Sequence, residues 1–234
     1  MRFSNRREAG LALAQVLRAY AHRGDVLVLA LPRGGVVVGF ALAEELAVAL
    51  DVYLVRKLGA PGREELALGA IASDGTRVVN HDVVAARRVT QDQIEAIAER
   101  EGRELQRRER AYREGRAAVD VRGRTVILVD DGLATGASMQ AAALAVRTRE
   151  PAKLVVAVPV APRDVCRELG AFADDVVCLD ASRTFRSVGS AYEDFAQTQD
   201  DEVCDLLAQA WAGSGAAPMR AVPGTAGEGQ EGRA

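Results

Sequence analysis

The chain has 234 residues, with 33 acidic and 30 basic side chains, 49% hydrophobic residues and 4% aromatic residues. This length suits one α/β domain or two small ones, and the hydrophobic content excludes a fully disordered or collagen-like chain. The near-neutral charge argues against a dedicated nucleic-acid binder, and no apolar run reaches the ~18 residues of a membrane span. Because the N-terminus lacks the apolar core of a signal peptide, the sequence predicts a cytoplasmic protein with no membrane partner.

Strand and helix patterns alternate in the first part of the chain. Apolar residues at helical spacing predict a first helix over residues 4–22, with Ser4 as its N-cap. The continuous apolar run 26–31 predicts a strand buried on both faces. Residues 36–49 then form a predicted helix and residues 52–55 a second strand, which together make a βαβ unit.

Turn residues and charges dominate the middle of the chain. Residues 57–65 hold two glycines, one proline and four charges, which favours a mobile loop. Weaker strands at 68–72 and 77–80 flank a turn and predict a hairpin. Residues 90–116 form a long polar helix in which glutamates precede arginines by four residues. This arginine run is either a solvated, self-neutralised face or a nucleic-acid contact, and the pairing favours the first.

Alternation resumes from residue 125 onward. Strands are predicted over 125–129, 154–159 and 176–179, and helices over 137–149, 162–169 and 200–211. This order predicts an α/β fold, a mostly parallel twisted sheet with helices on both faces. Residues 1–212 are expected to form one domain, and residues 213–234, with six glycines and two prolines, a disordered tail.

Three cysteines, Cys166, Cys178 and Cys204, are spaced by 12 and 26 residues. Their odd number and wide spacing fit neither a disulfide framework nor a zinc or redox motif. We therefore expect them to be buried as small hydrophobic residues.

Two adjacent acids, Asp130 and Asp131, follow the predicted strand that ends at Val129. They are expected at the carboxyl end of that strand, where open α/β sheets bind ligands. The small and hydroxyl-bearing residues of the next loop, at the start of a helix, suit a phosphate. Since carboxylates repel phosphate, the acids should face vicinal hydroxyls or a magnesium ion of the same ligand. The loop residues are Ala134, Thr135, Gly136, Ala137, Ser138 and Met139.

The stretch VILVDDGLATGAS resembles the phosphoribosyl-pyrophosphate (PRPP) binding motif of the type I phosphoribosyltransferases. In that motif four apolar residues, two acids and a TGxS or TGxT loop occur in this order. The resemblance implies that the loop 134–139 holds the 5′-phosphate and that Asp130 and Asp131 act as catalytic residues at the ribose hydroxyls. It also implies Mg²⁺ bound with PRPP or pyrophosphate, with the two acids reaching the metal through water. The implied fold includes a hood, a small segment that covers the base. This chain also has an inserted long polar helix.

Two further segments are similar to parts of this family. Pro32, Arg33, Gly34 and Gly35 occupy the place of the family's pyrophosphate loop, which often contains a non-proline cis peptide, expected here at Pro32–Arg33. Arg56 and Lys57, at the end of the second predicted strand, resemble its pyrophosphate-side cations, with Arg56 as a ligand and Lys57 as a catalytic group. The loop 57–65 would then be a lid over the site. A solvated lysine at a strand end is an equally good interpretation of Lys57.

The hood would combine residues 180–195 with the N-terminus, and Phe185 is its candidate for stacking on a base. Tyr192 and Phe195 fit packing under the sheet edge at least as well. Ala134 stands where the 6-oxopurine enzymes of the family have an aspartate, and the hood lacks their lysine. These departures disfavour hypoxanthine and guanine and leave the acceptor base and any general base open.

The resemblance implies a Mg²⁺-dependent transferase of the nucleotide-salvage type. Such an enzyme moves the 5-phosphoribosyl group of PRPP to a nitrogenous base and releases pyrophosphate. The alternative is a PRPP-binding regulator of the same fold that contacts a protein or a nucleic acid. A homodimer is an expectation from the family. Gly34, Gly35 and Gly39 do not form a GxGxxG motif and the chain has no GxxxxGK[ST] motif, so dinucleotide and P-loop enzymes are set aside.

Overall fold

Two sheets and seven α-helices make up the described part of the chain, residues 2–73 and 75–213, in this computed structural model. The helices are α1 (Arg6–Leu17), α2 (Gly34–Leu46), α3 (His81–Arg87), α4 (Gln91–Arg113), α5 (Ala137–Arg147), α6 (Arg163–Leu169) and α7 (Asp200–Gly213). The strands are β1 (Val26–Ala30), β2 (Ala49–Val52), β3 (Val55–Ala60), β4 (Arg63–Ala72), β5 (Arg77–Val79), β6 (Thr125–Val129), β7 (Lys153–Pro162) and β8 (Asp175–Ser182). The tail predicted over 213–234 lies, after its first residue, outside the described residues.

The larger sheet is parallel throughout and has the strand order β2-β1-β6-β7-β8. The predicted α/β fold is therefore confirmed. β1 and β6 lie side by side, with Ala30 opposite Val129 at their carboxyl ends. The chain leaves β1 toward one edge of the sheet and leaves β6 toward the other. This reversal opens a crevice at the carboxyl ends of the two central strands, which is where such sheets bind ligands.

Both faces of this sheet are covered by helices, which explains the unbroken apolar run of β1. Val26 and Val28 face the core shared with α1, α2 and α7. Leu27 and Leu29 face the opposite core, which α5 and α6 complete. All four side chains are almost fully buried. Because successive side chains of a strand point to opposite faces, an entirely apolar strand is what two covered faces require.

The smaller sheet, β3-β4-β5, corrects the prediction of a mobile loop over residues 57–65. β3 and β4 pair antiparallel up to Ala60 opposite Arg63. Pro61 and Gly62 form the turn between them, with Gly62 at a φ of 72°. A proline followed by a glycine with positive φ is the pattern of a tight turn. The lid predicted for this segment is thus a strand hairpin, and the hairpin predicted between β4 and β5 is confirmed.

The second predicted strand, 52–55, is displaced. α2 ends at Leu46, where Ala47 adopts a left-handed conformation with a φ of 51°, so the helix predicted to residue 49 is too long. β2 therefore begins at Ala49 and ends at Val52, and Val55 already belongs to β3. Because these residues are mostly apolar, the sequence does not show where β2 ends and β3, a strand of the other sheet, begins.

The first helix is shorter than the predicted 4–22. Asn5, not Ser4, caps it, because the Asn5 side chain accepts a hydrogen bond of 3.0 Å from the backbone N–H of Glu8. α1 ends at Leu17 and continues into a single 3-10 turn. α4, by contrast, closely matches its prediction, and its N-terminus carries a capping box formed by Thr90 and Gln93.

The cysteine prediction is wrong for two of the three residues. Cys166 of α6 and Cys178 of β8 form a disulfide, although only 12 residues separate them. α6 packs directly against β7 and β8, and this packing brings the two Cα atoms to 6.5 Å, a distance suited to a disulfide. Cys204 is free and partly buried. The spacing rule failed because the pairing comes from tertiary packing and not from a local motif.

One arginine of α4 departs from the predicted solvated face. Arg113 is 4% exposed and Asp51 of β2 is 1% exposed. The Nη1 atom of Arg113 donates to both carboxylate oxygens of Asp51, at 2.8 and 2.7 Å, and Nη2 donates to the carbonyl of Val52 at 2.9 Å. A second N–H, from the backbone of Val119, also reaches this carboxylate. The inserted helix is therefore fixed to the main sheet by a buried ion pair.

The N-terminal end of the described chain meets the segment 180–195 at the predicted hood. Phe3 forms a bridge with Tyr192, and the backbone of Phe3 bonds to Ala191 and to Glu193, each at 2.8 Å. The predicted contact between the segment 180–195 and the N-terminus is thus confirmed. Among the described residues, no helix combines the length and apolar character that crossing a membrane requires.

Candidate active site

The site forms where the chain leaves β1 and β6. The peptide bond Pro32–Arg33 is cis, as the sequence led us to expect. Gly34 and Gly35 then open α2 directly against the two acids that follow β6. A Cβ atom on Gly34 would lie 2.0 Å from Oδ2 of Asp131, and one on Gly35 would lie 2.9 Å from the Cα of Asp130. Only glycine permits the predicted pyrophosphate loop to approach the acidic pair this closely.

The predicted phosphate loop follows this pair in the chain, and its Ser138 lines the same cavity as Asp130. The loop is anchored by the N–H of Leu133, which donates to the carbonyl of Val160 in β7 at 2.9 Å. Gly136, with a φ of 72°, ends the loop and precedes the first turn of α5. The Oγ1 atom of Thr135 accepts the N–H of Ala137 at 3.4 Å. The loop therefore presents backbone amides and hydroxyl groups at a helix N-terminus, an arrangement suited to an oxyanion.

Burial dominates the electrostatics of Asp130 and Asp131. It raises the pKa of Asp130 well above its usual value, and the neighbouring charge of Asp131 adds to the rise. Burial also raises the pKa of Asp131, but a guanidinium opposes that effect. The Nε atom of Arg6, in the first turn of α1, donates to Oδ2 of Asp131 at 2.7 Å. The hydroxyl of Tyr192 donates to the backbone carbonyl of Asp131 at 2.5 Å.

Arg6 is itself held from several sides. Its Nη1 atom donates to the carbonyl of Ala196 at 2.7 Å, and its guanidinium carbon lies 3.9 Å from the centroid of the Phe195 ring. The Phe195 ring in turn stacks on Tyr192, with centroids 5.1 Å apart. The packing role that the sequence allowed for these two aromatic residues is therefore what the structure shows. Together they hold a cation against one carboxylate of the acid pair.

We expect Arg6→Met to make the free energy of unfolding fall more steeply with increasing pH than it does in the wild type. Without the guanidinium, the pKa values of Asp130 and Asp131 rise further above those of the unfolded chain. A carboxyl group whose pKa is raised in the folded state stabilises the fold only while it is protonated. The decrease in the free energy of unfolding is therefore absent at low pH and grows as the pH increases through the titration of the pair. Urea unfolding between about pH 3 and pH 8 measures this difference.

The matched control is Arg7→Met. Arg7 is the next residue of the helix and pairs with Glu44, but both side chains are more than half exposed. An exposed pair of this kind contributes about 0–1 kcal/mol, so this variant should keep the pH dependence of the wild type. If the free energy of unfolding depends on pH in the same way in both variants, Arg6 does not act on the buried acids.

A cavity of about 110 Å³ lies between the two loops, the smaller sheet and the inserted helix. It is lined by Leu31, Pro32, Tyr53, Leu54, Val55, Arg56, Leu105, Arg108, Asp130 and Ser138. The structure thus brings together residues that the sequence assigned to the pyrophosphate loop, the acid pair and the phosphate loop. Arg56 reaches the cavity from β3 and pairs with Glu101 of α4 at 2.6 Å.

The other predicted cations are placed differently. Arg33 faces Asp200, the first residue of α7, with 3.8 Å between Nη1 and Oδ1. The same carboxylate accepts the hydroxyl hydrogen bond of Tyr112 at 2.6 Å. Lys57 follows Arg56 on β3 and is not among the residues that line the cavity. Since neighbouring strand residues face opposite sides, the two cations do not share this cavity. The catalytic role of Lys57 stays a prediction.

Phe185 lines a different and larger cleft, of about 790 Å³, beside α6. It is partly buried and packs against the aromatic cluster of the hood. The structure therefore separates the residue predicted to stack on a base from the 110 Å³ cavity that holds Asp130 and Ser138.

Sequence reasoning missed Arg6, Leu105 and Arg108. Arg6 lies in a first helix that carries no motif, and no local signal marks it as a neighbour of Asp131. Leu105 and Arg108 belong to the helix interpreted as a solvated face, yet both line the cavity beside the acid pair. Their one detectable signal is an apolar residue followed by a base three positions later, a pattern too common to identify a site.

Comparison with known proteins gives matches over most of the chain. The family described as "Phosphoribosyl transferase domain" matches residues 6–189. The "Putative phosphoribosyl transferase Rv0571c" of Mycobacterium tuberculosis strain H37Rv is 44% identical over 208 residues, which are 89% of this chain and 47% of that protein. A protein of strain CDC 1551, with the same description and the designation MT0597, matches to the same extent. The chain spans about half the length of these curated relatives.

A solved structure resembles the chain closely. It is TT1426 from Thermus thermophilus, which is 44% identical and superposes with a TM-score of 0.82. The match covers 89% of this chain and 99% of the Thermus chain. The family match over residues 6–189 and the 44% identical relatives show that the chain belongs to the phosphoribosyl transferase domain family.

Proposed function

We propose that the protein is a Mg²⁺-dependent phosphoribosyltransferase that moves the 5-phosphoribosyl group of PRPP to a nitrogenous base with release of pyrophosphate. One observation carries this proposal. The acid pair Asp130 and Asp131 contacts one loop suited to oxyanions, residues 32–35 after β1, and leads into another, residues 134–139 after β6, and both loops line one cavity with Asp130. A ligand with a phosphate at one end, a diphosphate at the other and a diol between them has this order of groups.

In the proposed reaction the C1–O bond to pyrophosphate breaks as the bond from C1 to the acceptor nitrogen forms. Positive charge develops on the ribose in the transition state, as in glycosyl transfer generally. Asp130 and Asp131 accept hydrogen bonds from the ribose hydroxyls and supply negative potential near that charge. Arg6 favours the ionised form of Asp131, in which both carboxylate oxygens can accept hydrogen bonds. The loops 32–35 and 134–139 hold the two anionic ends of PRPP and fix C1 for attack.

Magnesium fits this site as part of the substrate complex. Within the described ranges, no group of three or more His, Cys, Asp or Glu side chains is placed to hold a metal ion. Oxygen ligands from a diphosphate and water, with a few carboxylates, are what Mg²⁺ prefers. Asp130 and Asp131 would therefore reach the ion through water, and the bound ion would neutralise charge on the leaving pyrophosphate.

The acid pair provides the direct test. We expect PRPP with Mg²⁺ to bind the wild type in a calorimetric titration, and Asp130→Asn/Asp131→Asn to weaken binding at least ~10-fold because charged acceptors are lost. Glu44→Gln/Glu45→Gln is the matched control, since it changes two adjacent acids that are exposed on α2. The proposal fails if the wild type does not bind PRPP or if the Asp130→Asn/Asp131→Asn variant binds it as tightly.

The alternative, a PRPP-binding regulator, depended on the arginines of α4 as a contact surface. In the structure Arg107 and Arg108 bond to Glu104 of the same helix, at 2.9 and 2.8 Å. Their hydrogen bonds lower the pKa of Glu104 to about 2. A self-neutralised face of this kind favours the enzyme over the regulator. Release of pyrophosphate from PRPP that depends on an added base would distinguish the two.

A further inference from the structure

The cleft beside α6 has a volume of about 790 Å³ and is separate from the 110 Å³ cavity at the acid pair. Its lining consists of Pro162, Arg163, Asp164, Arg167, Ser182, Arg183 and Phe185. Three arginines against one aspartate give this wall a net positive charge. A volume of this size, within the ~300–1,000 Å³ usual for ligand pockets, suits a small molecule better than a nucleic-acid strand.

The arginines stand on two opposite sides of the cleft. Arg163 and Arg167 are one helical turn apart on α6 and so share a face, whereas Arg183 follows the end of β8. All three are exposed, and within the described part of the chain none of them forms an ion pair or a hydrogen bond to a carboxylate. They differ in this from Arg107 and Arg108 of α4, which bond to Glu104 of their own helix. The cleft therefore offers several guanidinium groups that are not held in an ion pair with a protein carboxylate.

The two walls are tied together. β7 and β8 remain paired as far as Pro162 opposite Ser182, at the mouth of the cleft. The disulfide between Cys166 and Cys178 joins α6 to β8 beneath it. This framework places the arginines of one wall against Phe185 and Arg183 of the other.

The cleft also adjoins the proposed phosphate loop. A Cβ atom on Gly136 would lie 2.7 Å from Cγ1 of Val165, which sits on α6 between two of the arginines. A Cβ atom on Gly132 would lie 2.6 Å from Cγ1 of Val188, just beyond Phe185. The walls of the cleft are thus in direct contact with the loop that holds PRPP in the proposed function. A molecule in the cleft would lie beside the bound ribose.

We infer that the acceptor is a planar nitrogen heterocycle bearing a carboxylate, with its ring on Phe185 and its carboxylate on Arg163, Arg167 and Arg183. This inference rests on the proposed function. Guanidinium forks match a carboxylate in geometry and charge, and an aromatic ring stacks on a planar acceptor. The lone pair of the acceptor nitrogen forms the new bond to C1, and the C1–O electron pair leaves on pyrophosphate. A ring N–H, as in orotate, gives its proton to that pyrophosphate, whereas a pyridine nitrogen, as in nicotinate, has no proton to lose and becomes a pyridinium cation.

The test uses pairs of probes that differ in one carboxylate, orotate against uracil and nicotinate against nicotinamide, each added with PRPP and Mg²⁺. Binding of PRPP is measured first, and then the KM and the ribonucleotide product for each probe. We expect a carboxylate-bearing probe to be used at least tenfold better than its neutral partner. Arg163→Gln/Arg167→Gln/Arg183→Gln should raise its KM at least tenfold and leave PRPP binding unchanged, because the three arginines are exposed and outside the PRPP loops. Arg186 is an exposed arginine that does not line the cleft, so Arg186→Gln should change neither this KM nor PRPP binding.

The outcomes separate the inference from the proposed function. If PRPP does not bind, the proposed function fails and the inference fails with it. If PRPP binds but no carboxylate-bearing probe is preferred, the inference alone is overturned. It is also overturned if the triple variant weakens PRPP binding itself, because the arginines would then serve the phosphoribosyl donor.

Discussion

Replacement of Arg113 by methionine should lower the free energy of unfolding by about 3–5 kcal/mol, measured by urea unfolding at neutral pH. The reason is the position of its partner. Asp51 is 1% exposed, and Arg113 supplies the positive charge that its carboxylate contacts through two hydrogen bonds. Removing the guanidinium leaves a buried carboxylate with backbone N–H groups but without a positive charge beside it.

Two further variants make this result specific. Arg122→Met removes an ion pair with Glu150 in which the side chains are 71% and 68% exposed, and should cost less than about 1 kcal/mol. Arg113→Met combined with Asp51→Asn removes the uncompensated charge and should cost less than Arg113→Met alone. Equal costs for Arg113→Met and Arg122→Met would contradict the buried ion pair.

Gly34→Ala is expected to weaken PRPP binding about 100-fold, as a displacement of about 1 Å in a binding group can. A Cβ atom at this position would lie 2.0 Å from Oδ2 and 2.6 Å from Cγ of Asp131, and 2.7 Å from Nε of Arg6. The carboxylate and its guanidinium partner must therefore move together. The same calorimetric titration with PRPP and Mg²⁺ measures the effect.

Gly24→Ala is the control for this glycine. Apart from Gly24 itself and its two chain neighbours, no residue has an atom within 4 Å of the Cβ position of Gly24, which sits in the turn before β1. Its substitution should leave PRPP binding unchanged and shift the free energy of unfolding by no more than about 1 kcal/mol. Should Gly34→Ala bind PRPP as tightly as Gly24→Ala, the close approach of the two loops would have no role in binding.

The parts of the fold that could be predicted are those specified by local patterns. The apolar runs of β1 and β6 indicate a sheet covered on both faces, and the acids after Val129 mark its ligand-binding end. The capping box of Thr90 and Gln93 fixes the start of α4 within the sequence itself. The resemblance to a known motif supplied the cis peptide at Pro32–Arg33, which composition and periodicity alone do not indicate.

The parts that escaped prediction depend on contacts between distant segments. Glycines and charges such as those of residues 57–65 occur both in loops and in hairpins, so they do not distinguish the two. Only the pairing of β3 with β4 shows that the segment is a hairpin. The disulfide between Cys166 and Cys178 depends on how α6 packs. Arg113 and Arg108 lie on one polar helix, yet one is buried in an ion pair and the other lines the site. Tertiary packing decides such differences, and they leave no periodic signal in the sequence.

The contact between the N-terminus and the hood segment has a consequence for the order in which the site can assemble during synthesis. Arg6 is made early, but its partner Asp131 follows 125 positions later and the carbonyl of Ala196 follows 190 positions later. Contacts over such separations form only after long stretches of chain are ordered. A nascent chain that has completed β1, β2 and β6 can build the centre of the sheet while its acid pair is still open to water. The site closes only when the hood segment has left the ribosome.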